Sequence, residues 1–257
     1  MDLDFNEDQV ALREMVEDFV EKESSIETVR AAEPLGFDLG VWQKLVGMGL
    51  TTITVPEAQG GGGAGFLDLA IAVEHFGRTL TPVPLIEAAV ANHTLAALGE
   101  PAGALLTDAI AGDALVTLAV RPAEGGVARI VPAGAVADAV VALDGDELVA
   151  VRQSTISPAN PAPAIPNLGA LPIADRRLDE GERIVLARGD EAVVHHERAV
   201  RQWELLTGAA LVGAGQRALD IGLEYVMERR AFGVLIGSFQ TIQHRLFINH
   251  AFACKVN

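Results

Sequence analysis

Between Gln216 and Arg245 the sequence QRALDIGLEYVMERRAFGVLIGSFQTIQHR places two arginines, Arg229 and Arg230, and one amide, Gln240, on either side of a short loop. Guanidinium groups make paired, charge-assisted hydrogen bonds to phosphate oxygens, so a cationic fork beside an amide near helix ends suits a phosphate-bearing ligand. Arginines in the last turn of a helix also complement its dipole, and the residue types by themselves fit either role.

The elements that must position these groups are legible in the spacing. Ala218, Leu219, Gly222, Leu223, Tyr225 and Val226 recur at intervals of three and four, which predicts an amphipathic helix up to Arg230. Gly233 breaks it. Val234, Leu235 and Ile236 follow, then a turn at Gly237 and Ser238. A second apolar run through Phe239, Ile242, Leu246 and Phe247 predicts another helix.

The segment ERRAFGVLIGSFQTIQH resembles the E-R-x-x-F-G-x-x-I-x-x-F-Q-x-x-Q signature of the acyl-CoA dehydrogenases. In that family the Arg, Phe and Gln hold the adenosine pyrophosphate of FAD and reach across to the flavin of a neighbouring subunit. The resemblance implies those roles for Arg229, Phe232 and Gln240, with Ile236 and Phe239 as walls of the site.

Composition narrows the class. A chain of 257 residues is long enough for one large or two to three small domains with a real core. Abundant Ala, Val, Leu and Gly with few aromatics favour helices packed through small residues. A formal charge of −16 argues against a nucleic-acid partner, because no basic patch is available to displace counterions. Cys254 is the single cysteine, which rules out an intrachain disulfide and suits a reducing cytoplasm. The start, MDLDFNEDQ, is acidic where a signal peptide would be basic, and no apolar run is long enough to span a bilayer. The expectation is a soluble cytoplasmic protein with no membrane partner.

Along the chain, Asn6 is placed to cap a helix whose inward stripe is Val10, Leu12, Met15, Val16, Phe19 and Val20. A second helix is predicted from about Leu39 to Met48, closing at Gly49. Thr51 to Val55 is a β-branched stretch stopped by Pro56 and the loop EAQGGGGAG. No Gly-Lys-Ser/Thr follows these glycines, so they are read as a flexible turn and not as a phosphate loop. Further helices are expected over 66–76 and about 86–98. Trp42, Leu45, Gly49 and Leu50, then Val55, Pro56, Glu57, Gly60 and Gly61, are similar to the family's W-x-x-L-x-x-x-G-L and V-P-E-x-x-G-G.

The periodicity changes after Gly112. Short β-rich runs cover 114–120, 127–131, 136–143 and 148–152, with a hairpin turn at Asp144-Gly145-Asp146. A proline-rich, extended connection, SPANPAPAIPNLGALP, precedes one more strand near 183–187, and helical spacing returns from about Glu197. The fold class is therefore mainly α with a small β domain: an N-terminal helical domain 1–112, a middle β domain 113–195 and a partial C-terminal helical domain 196–257. The resemblance implies an acyl-CoA dehydrogenase-like α-bundle, a β-barrel-like middle domain and a C-terminal α-bundle that is incomplete because the sequence stops after its second helix.

The family takes a proton from the α-carbon of an acyl thioester with a glutamate while a hydride leaves the β-carbon for FAD. This sequence departs from the family pattern in three places. Val120-Arg121-Pro122-Ala123-Glu124-Gly125-Gly126 stands where T-E-P-x-A-G-S-D contacts flavin and CoA, and its hydroxyls are missing. Arg129-Ile130-Val131 stands for an aromatic-Ile-Thr segment, without the aromatic. One family branch carries the base early in the helix leading to E-R-x-x-F-G, a position that falls on Trp203, with Glu204 beside it as the candidate catalytic residue. Adjacent helical positions point about 100° apart, so Glu204 can serve only with a shifted register. The other branch places the base in the last helices of the bundle, beyond the end of this sequence. His195-His196 is read as a surface turn and no metal site is expected, since neighbouring residues seldom converge on one ion.

The resemblance thus implies a subunit of an FAD-dependent acyl-CoA dehydrogenase that acts on an acyl-CoA, of fatty acyl or sterol side-chain type, and contributes flavin contacts within a homo- or hetero-oligomer. The alternative is a non-catalytic scaffold, or truncated relative, that binds no flavin. Leu211, Leu219, Leu223 and Val226 with Ile242, Leu246 and Phe247 are expected to form an apolar face buried by a partner.

Overall fold

In the computed structural model, residues 4–33, 35–246 and 248 are described. They form two compact units, each drawn from separate stretches of the chain. One comprises the described residues within 1–25, 70–81 and 207–257, and the other those within 26–69 and 82–206.

The first unit begins with α1 (Glu7–Glu23). Asn6 accepts from the Gln9 amide at 2.8 Å and Gln9 returns a bond to the Asn6 N–H at 3.2 Å, so the expected cap is realised as a reciprocal capping box. The buried positions of α1 are Val16 and Val20, while Met15 is exposed. Phe19 stacks on Phe76 of α4 (Phe66–Thr79) with ring centroids 6.0 Å apart.

The second unit holds α2 (Ile26–Ala32), α3 (Leu39–Gly47), α5 (Leu85–Leu98) and α6 (Gly103–Ala111). Asp38 caps α3 through the Val41 N–H, and α6 ends at Gly112, whose φ of 83° suits a left-handed helix stop. Residues 50–52 form a helical turn and not an extended stretch: Gly49, at φ 73°, reverses the chain, and the Thr52 N–H returns to its carbonyl at 3.2 Å. Nor is the glycine loop a flexible turn. Gly62, Gly63 and Ala64 donate to the carbonyls of Thr52, Val55 and Ile53 at 3.1, 2.9 and 2.9 Å. A Cβ on Gly61 would lie 2.2 Å from the Val55 carbonyl oxygen, so the loop is glycine-rich because backbone lies on backbone.

The β region comprises β1 (Val116–Leu118), β2 (Val127–Val131), β3 (Ala139–Asp144), β4 (Glu147–Arg152), β5 (Ala174–Arg177) and β6 (Glu182–Arg188). One sheet runs β1-β3-β4-β6, with β1 parallel to β3 and the other pairs antiparallel, and β2 pairs with β5 in a second sheet. The hairpin over Asp144-Gly145-Asp146 is present, with Asp144 opposite Glu147. Ala128 and Val131 of β2 share a core with Val140, Ala142, Val149 and Val151. The two sheets therefore pack on one apolar layer, and among the described residues they do not close into a barrel, because no ladder joins β2-β5 to either edge of the larger sheet.

Helix α7 (Gly189–Glu228) contributes to both units and starts about two turns before the position expected from the spacing. Asp190 and Glu191 occupy its first turn, where carboxylates complement the dipole.

Candidate functional site

In the first unit α7 is seated by glycines. A Cβ on Gly213 would lie 1.9 Å from the Glu74 carbonyl oxygen, and one on Gly77 would lie 2.0 Å from that of Ala210. Only hydrogen at both positions lets α4 and α7 approach this closely. Asp220 then receives Arg78 at 2.6 Å and Gln216 at 2.9 Å, which fixes the rotation of α7 about its axis.

Past Glu228 the helix gives way to a two-stranded hairpin, β7 (Arg230–Ala231) and β8 (Val234–Leu235). Arg229 closes its base, since the Ile236 N–H donates to the Arg229 carbonyl at 2.8 Å. Residues 236–238 make a helical turn, and a Cβ on Gly237 would lie 2.9 Å from the Val226 carbonyl oxygen, so the turn folds against the end of α7. The Gln243 side chain donates to the Gly237 carbonyl at 3.0 Å, tying residues 240–246, which are helical, back to that turn.

This frame presents the predicted residues outward. Arg229 and Gln240 are exposed, Ile236 is half-buried, and Phe239 is 37% exposed. Phe232, 96% exposed, stands at the tip with φ 53°. A left-handed backbone costs a non-glycine residue about 1–2 kcal/mol. Phe232 and Phe239 meet edge to face, 6.4 Å between centroids and 82° between planes. A guanidinium, two aromatic rings and an amide on and around one hairpin could suit a ligand that combines anionic and flat heterocyclic parts.

The apolar face is broader than expected in one direction and narrower in another. Leu211, Ile221, Tyr225 and Met227 are 68, 51, 56 and 65% exposed, but Leu219 is buried at 8%. Phe247 lies outside the described residues, as does Cys254.

In the second unit, Trp203 and Glu204 part company. Glu204 is exposed on α7, whereas the Trp203 indole Nε1 donates to the Glu87 carboxylate in the first turn of α5 at 3.1 Å. Burial pushes the Glu87 carboxyl above the usual range, partly offset by that hydrogen bond.

His195-His196 is not a surface turn. Both lie within α7, and His196 is buried with Nε2 2.8 Å from the Ala119 carbonyl oxygen after β1. Burial lowers its pKa. No group of three potential metal ligands occurs among the described residues. Val120 to Gly126 form the loop that follows, where Ala123 bonds to the Leu143 carbonyl, and Ile130 bulges from β2 at φ 53° with its N–H held by Asp175. Sequence reading missed two inward polar groups, Glu87 and Arg176. Spacing held the first signal, since Glu87 stands directly before the buried run 88–92 of α5.

The chain is thus mainly helical with two small sheets, and Arg229, Phe232 and Gln240 stand exposed past the end of its longest described helix. The chain belongs to the acyl-CoA dehydrogenase family, whose members are FAD-dependent oxidoreductases. Residues 6–103 match the model for the acyl-CoA dehydrogenase N-terminal domain, and residues 195–251 match that for the C-terminal domain. Acyl-CoA dehydrogenase IpdE2 of Mycolicibacterium smegmatis is 31% identical over 247 residues, covering 94% of this chain and 71% of the relative. The ChsE4-ChsE5 complex of Mycobacterium tuberculosis superposes with a TM-score of 0.82 at 25% identity, over 98% of this chain and 76% of that one. The Tcur3481-Tcur3483 steroid acyl-CoA dehydrogenase gives 0.76 over 96% and 74%, and its 24% identity speaks for the fold alone. No helix among the described residues is long and apolar enough to cross a membrane.

Proposed function

We propose that this chain is one subunit of an acyl-CoA dehydrogenase that α,β-dehydrogenates an acyl-CoA thioester, and that it completes a flavin site held mainly by a neighbouring subunit. The observation that carries this reading is Phe232, a fully presented aromatic in a strained backbone, flanked by exposed Arg229 and Gln240. Strain of this kind persists where function uses it.

The residues fit FAD. Arg229 would hold the pyrophosphate by paired hydrogen bonds, Gln240 would add an amide contact, and Phe232 and Phe239 would supply aromatic faces, with Ile236 as wall. The chemistry that FAD supplies when bound is acceptance of the hydride leaving the acyl β-carbon. Positioning is this chain's share of the work: a cofactor clamped from two sides stays oriented against the acyl chain and shielded from water.

Exposed apolar side chains on α7 support assembly. At about 25 cal/mol per Å², covering a few hundred Å² of apolar surface favours association by several kcal/mol. Homo- or hetero-oligomers both satisfy this, and the likeness to the ChsE4-ChsE5 complex, which joins two different chains, favours the second. A sterol side-chain or fatty acyl thioester as the substrate belongs to the same reading. The three-part division 1–112, 113–195 and 196–257 and a cytoplasmic location belong to the same reading.

Purification of the chain alone and with a sister dehydrogenase subunit tests the proposal. Flavin is expected with the pair and not with the single chain; stoichiometric flavin in the single chain, or none in the pair, would contradict it.

A further inference from the structure

Arg176 on β5 is 1% exposed, and the chain partners only one of its three nitrogens. Nη1 donates to the carbonyls of Gly134 and Ala137 at 2.9 and 2.7 Å. Nε and Nη2, which share one edge of the planar guanidinium, are buried and meet no acceptor among the described residues. Burial lowers the pKa of this group to about 10, with the Asp138 carboxylate opposing the shift, so it keeps its charge at neutral pH. A buried charged donor without an acceptor costs its full desolvation, and buried polar groups are as a rule bonded to protein or to ordered water.

A complementary group is held in the same frame. Gln153, just past β4, is buried; its Nε2 donates to the Arg177 carbonyl at 3.1 Å, and its Oε1 meets no donor among the described residues. The Gln153 N–H donates to the Asp138 carbonyl at 3.0 Å. Arg176 and Gln153 are therefore fastened to the same two pieces of backbone, 137–138 and 176–177. Two orphaned donors and one orphaned acceptor in this frame require a small species that accepts from the first and donates to the second. Water does both. An anion only accepts, and it would be set against the Gln153 carbonyl oxygen and the Asp138 carboxylate.

We infer that the β region encloses a structural water, which accepts from the Nε–Nη2 edge of Arg176 and donates to Gln153 Oε1. It sits at a fastening point of the fold. Residues 132–138 take the Thr117 hydroxyl at the Pro132 carbonyl, 2.5 Å, and they hold the proline-rich connection at two places, through Ala162 N–H to the Ala135 carbonyl at 2.7 Å and Ala135 N–H to the Pro172 carbonyl at 3.0 Å. The water thus joins β4 and β5 to the segment that anchors this connection, with bonds a dry core of the same shape would leave unmade.

A crystal structure of the full chain that shows ordered solvent tests this, with a second crystal soaked in bromide. The expected result is a density peak about 2.7–3.2 Å from Arg176 Nε or Nη2 and equally close to Gln153 Oε1, refining as water and giving no anomalous signal after the soak. Gln153→Leu, which removes the acceptor, is expected to lose the peak; should that variant not fold, Gln153→Met takes its place with the same loss expected. A protein acceptor found on the Nε–Nη2 edge, or no peak there, would overturn the inference. An anomalous bromide peak would replace the water by an anion and overturn it too, as would a peak that persists unchanged in the folded variant.

Discussion

Phe232 and Phe239 face each other across the hairpin at 6.4 Å, yet the first is 96% exposed and sits at φ 53°. An exposed edge-to-face pair contributes about as much as the left-handed conformation costs, on the order of 1 kcal/mol each, so the arrangement adds little net stability. Glycine adopts the same φ without strain. Phe232→Gly is therefore expected to leave the stability of the isolated chain within about 1 kcal/mol of wild type by urea denaturation, while lowering the flavin content of the assembled pair severalfold. Large destabilisation with full flavin content would assign Phe232 a folding role instead.

Glycines on α7 divide by what surrounds them. Gly213 has the Glu74 carbonyl oxygen 1.9 Å from where a Cβ would stand, and Gly215 has nothing within 4 Å. Gly213→Ala should cost about 3 kcal/mol by forcing α4 and α7 apart. Gly215→Ala, two residues on, should stabilise by about 0.5–1 kcal/mol through helix propensity. Thermal melts of the two variants check both signs.

Glu87 and His196 impose opposite pH dependences. Burial raises the folded pKa of Glu87, so the native state holds that proton longer and stability falls as pH rises from the ordinary carboxylate range through the raised value. Glu87→Gln, which can still accept from Trp203, should match wild type at low pH and exceed it at neutral pH. For His196 burial lowers the folded pKa, so stability is full above the ordinary imidazole value and is lost as pH falls through the depressed one. His196→Gln should flatten that acid limb. Urea midpoints between pH 4 and pH 8 on the three proteins measure both slopes.

Much of this was legible because local chemistry and tertiary role agreed. Asn6 with Gln9, Gly49 and Gly112 mark helix ends through capping and left-handed φ, and those signals need no tertiary context. β5 was not legible. Its ADRR reads as polar, but Ala174 and Arg176 point inward, and Arg176 is buried, donating to the Gly134 and Ala137 carbonyls at 2.9 and 2.7 Å. Burial of an arginine depends on carbonyls contributed from a distant loop, which no window of sequence displays. His196 escaped for a similar reason, since its partner is the Ala119 carbonyl, 77 residues away. In the glycine loop, close backbone approach and flexibility call for the same residue, so composition alone does not separate them.

Within the site, the hairpin residues stood out through their spacing, while the Trp203–Glu87 contact required knowing that α5 and α7 lie together. Position 203 could be counted back from the signature, but which of Trp203 and Glu204 points inward is a matter of helix phase fixed by Ala199 and Leu206.

The most direct measurement is the affinity of the assembled pair for FAD, by fluorescence titration of the apo complex, with wild-type chain and with Arg229→Ala. Loss of a paired, charge-assisted contact to the pyrophosphate is expected to weaken FAD by about 1.5–3 kcal/mol, roughly ten- to a hundredfold, with assembly intact by sedimentation. Equal affinity in the two complexes would contradict the assignment of the hairpin to a flavin site and favour a scaffold that binds no flavin.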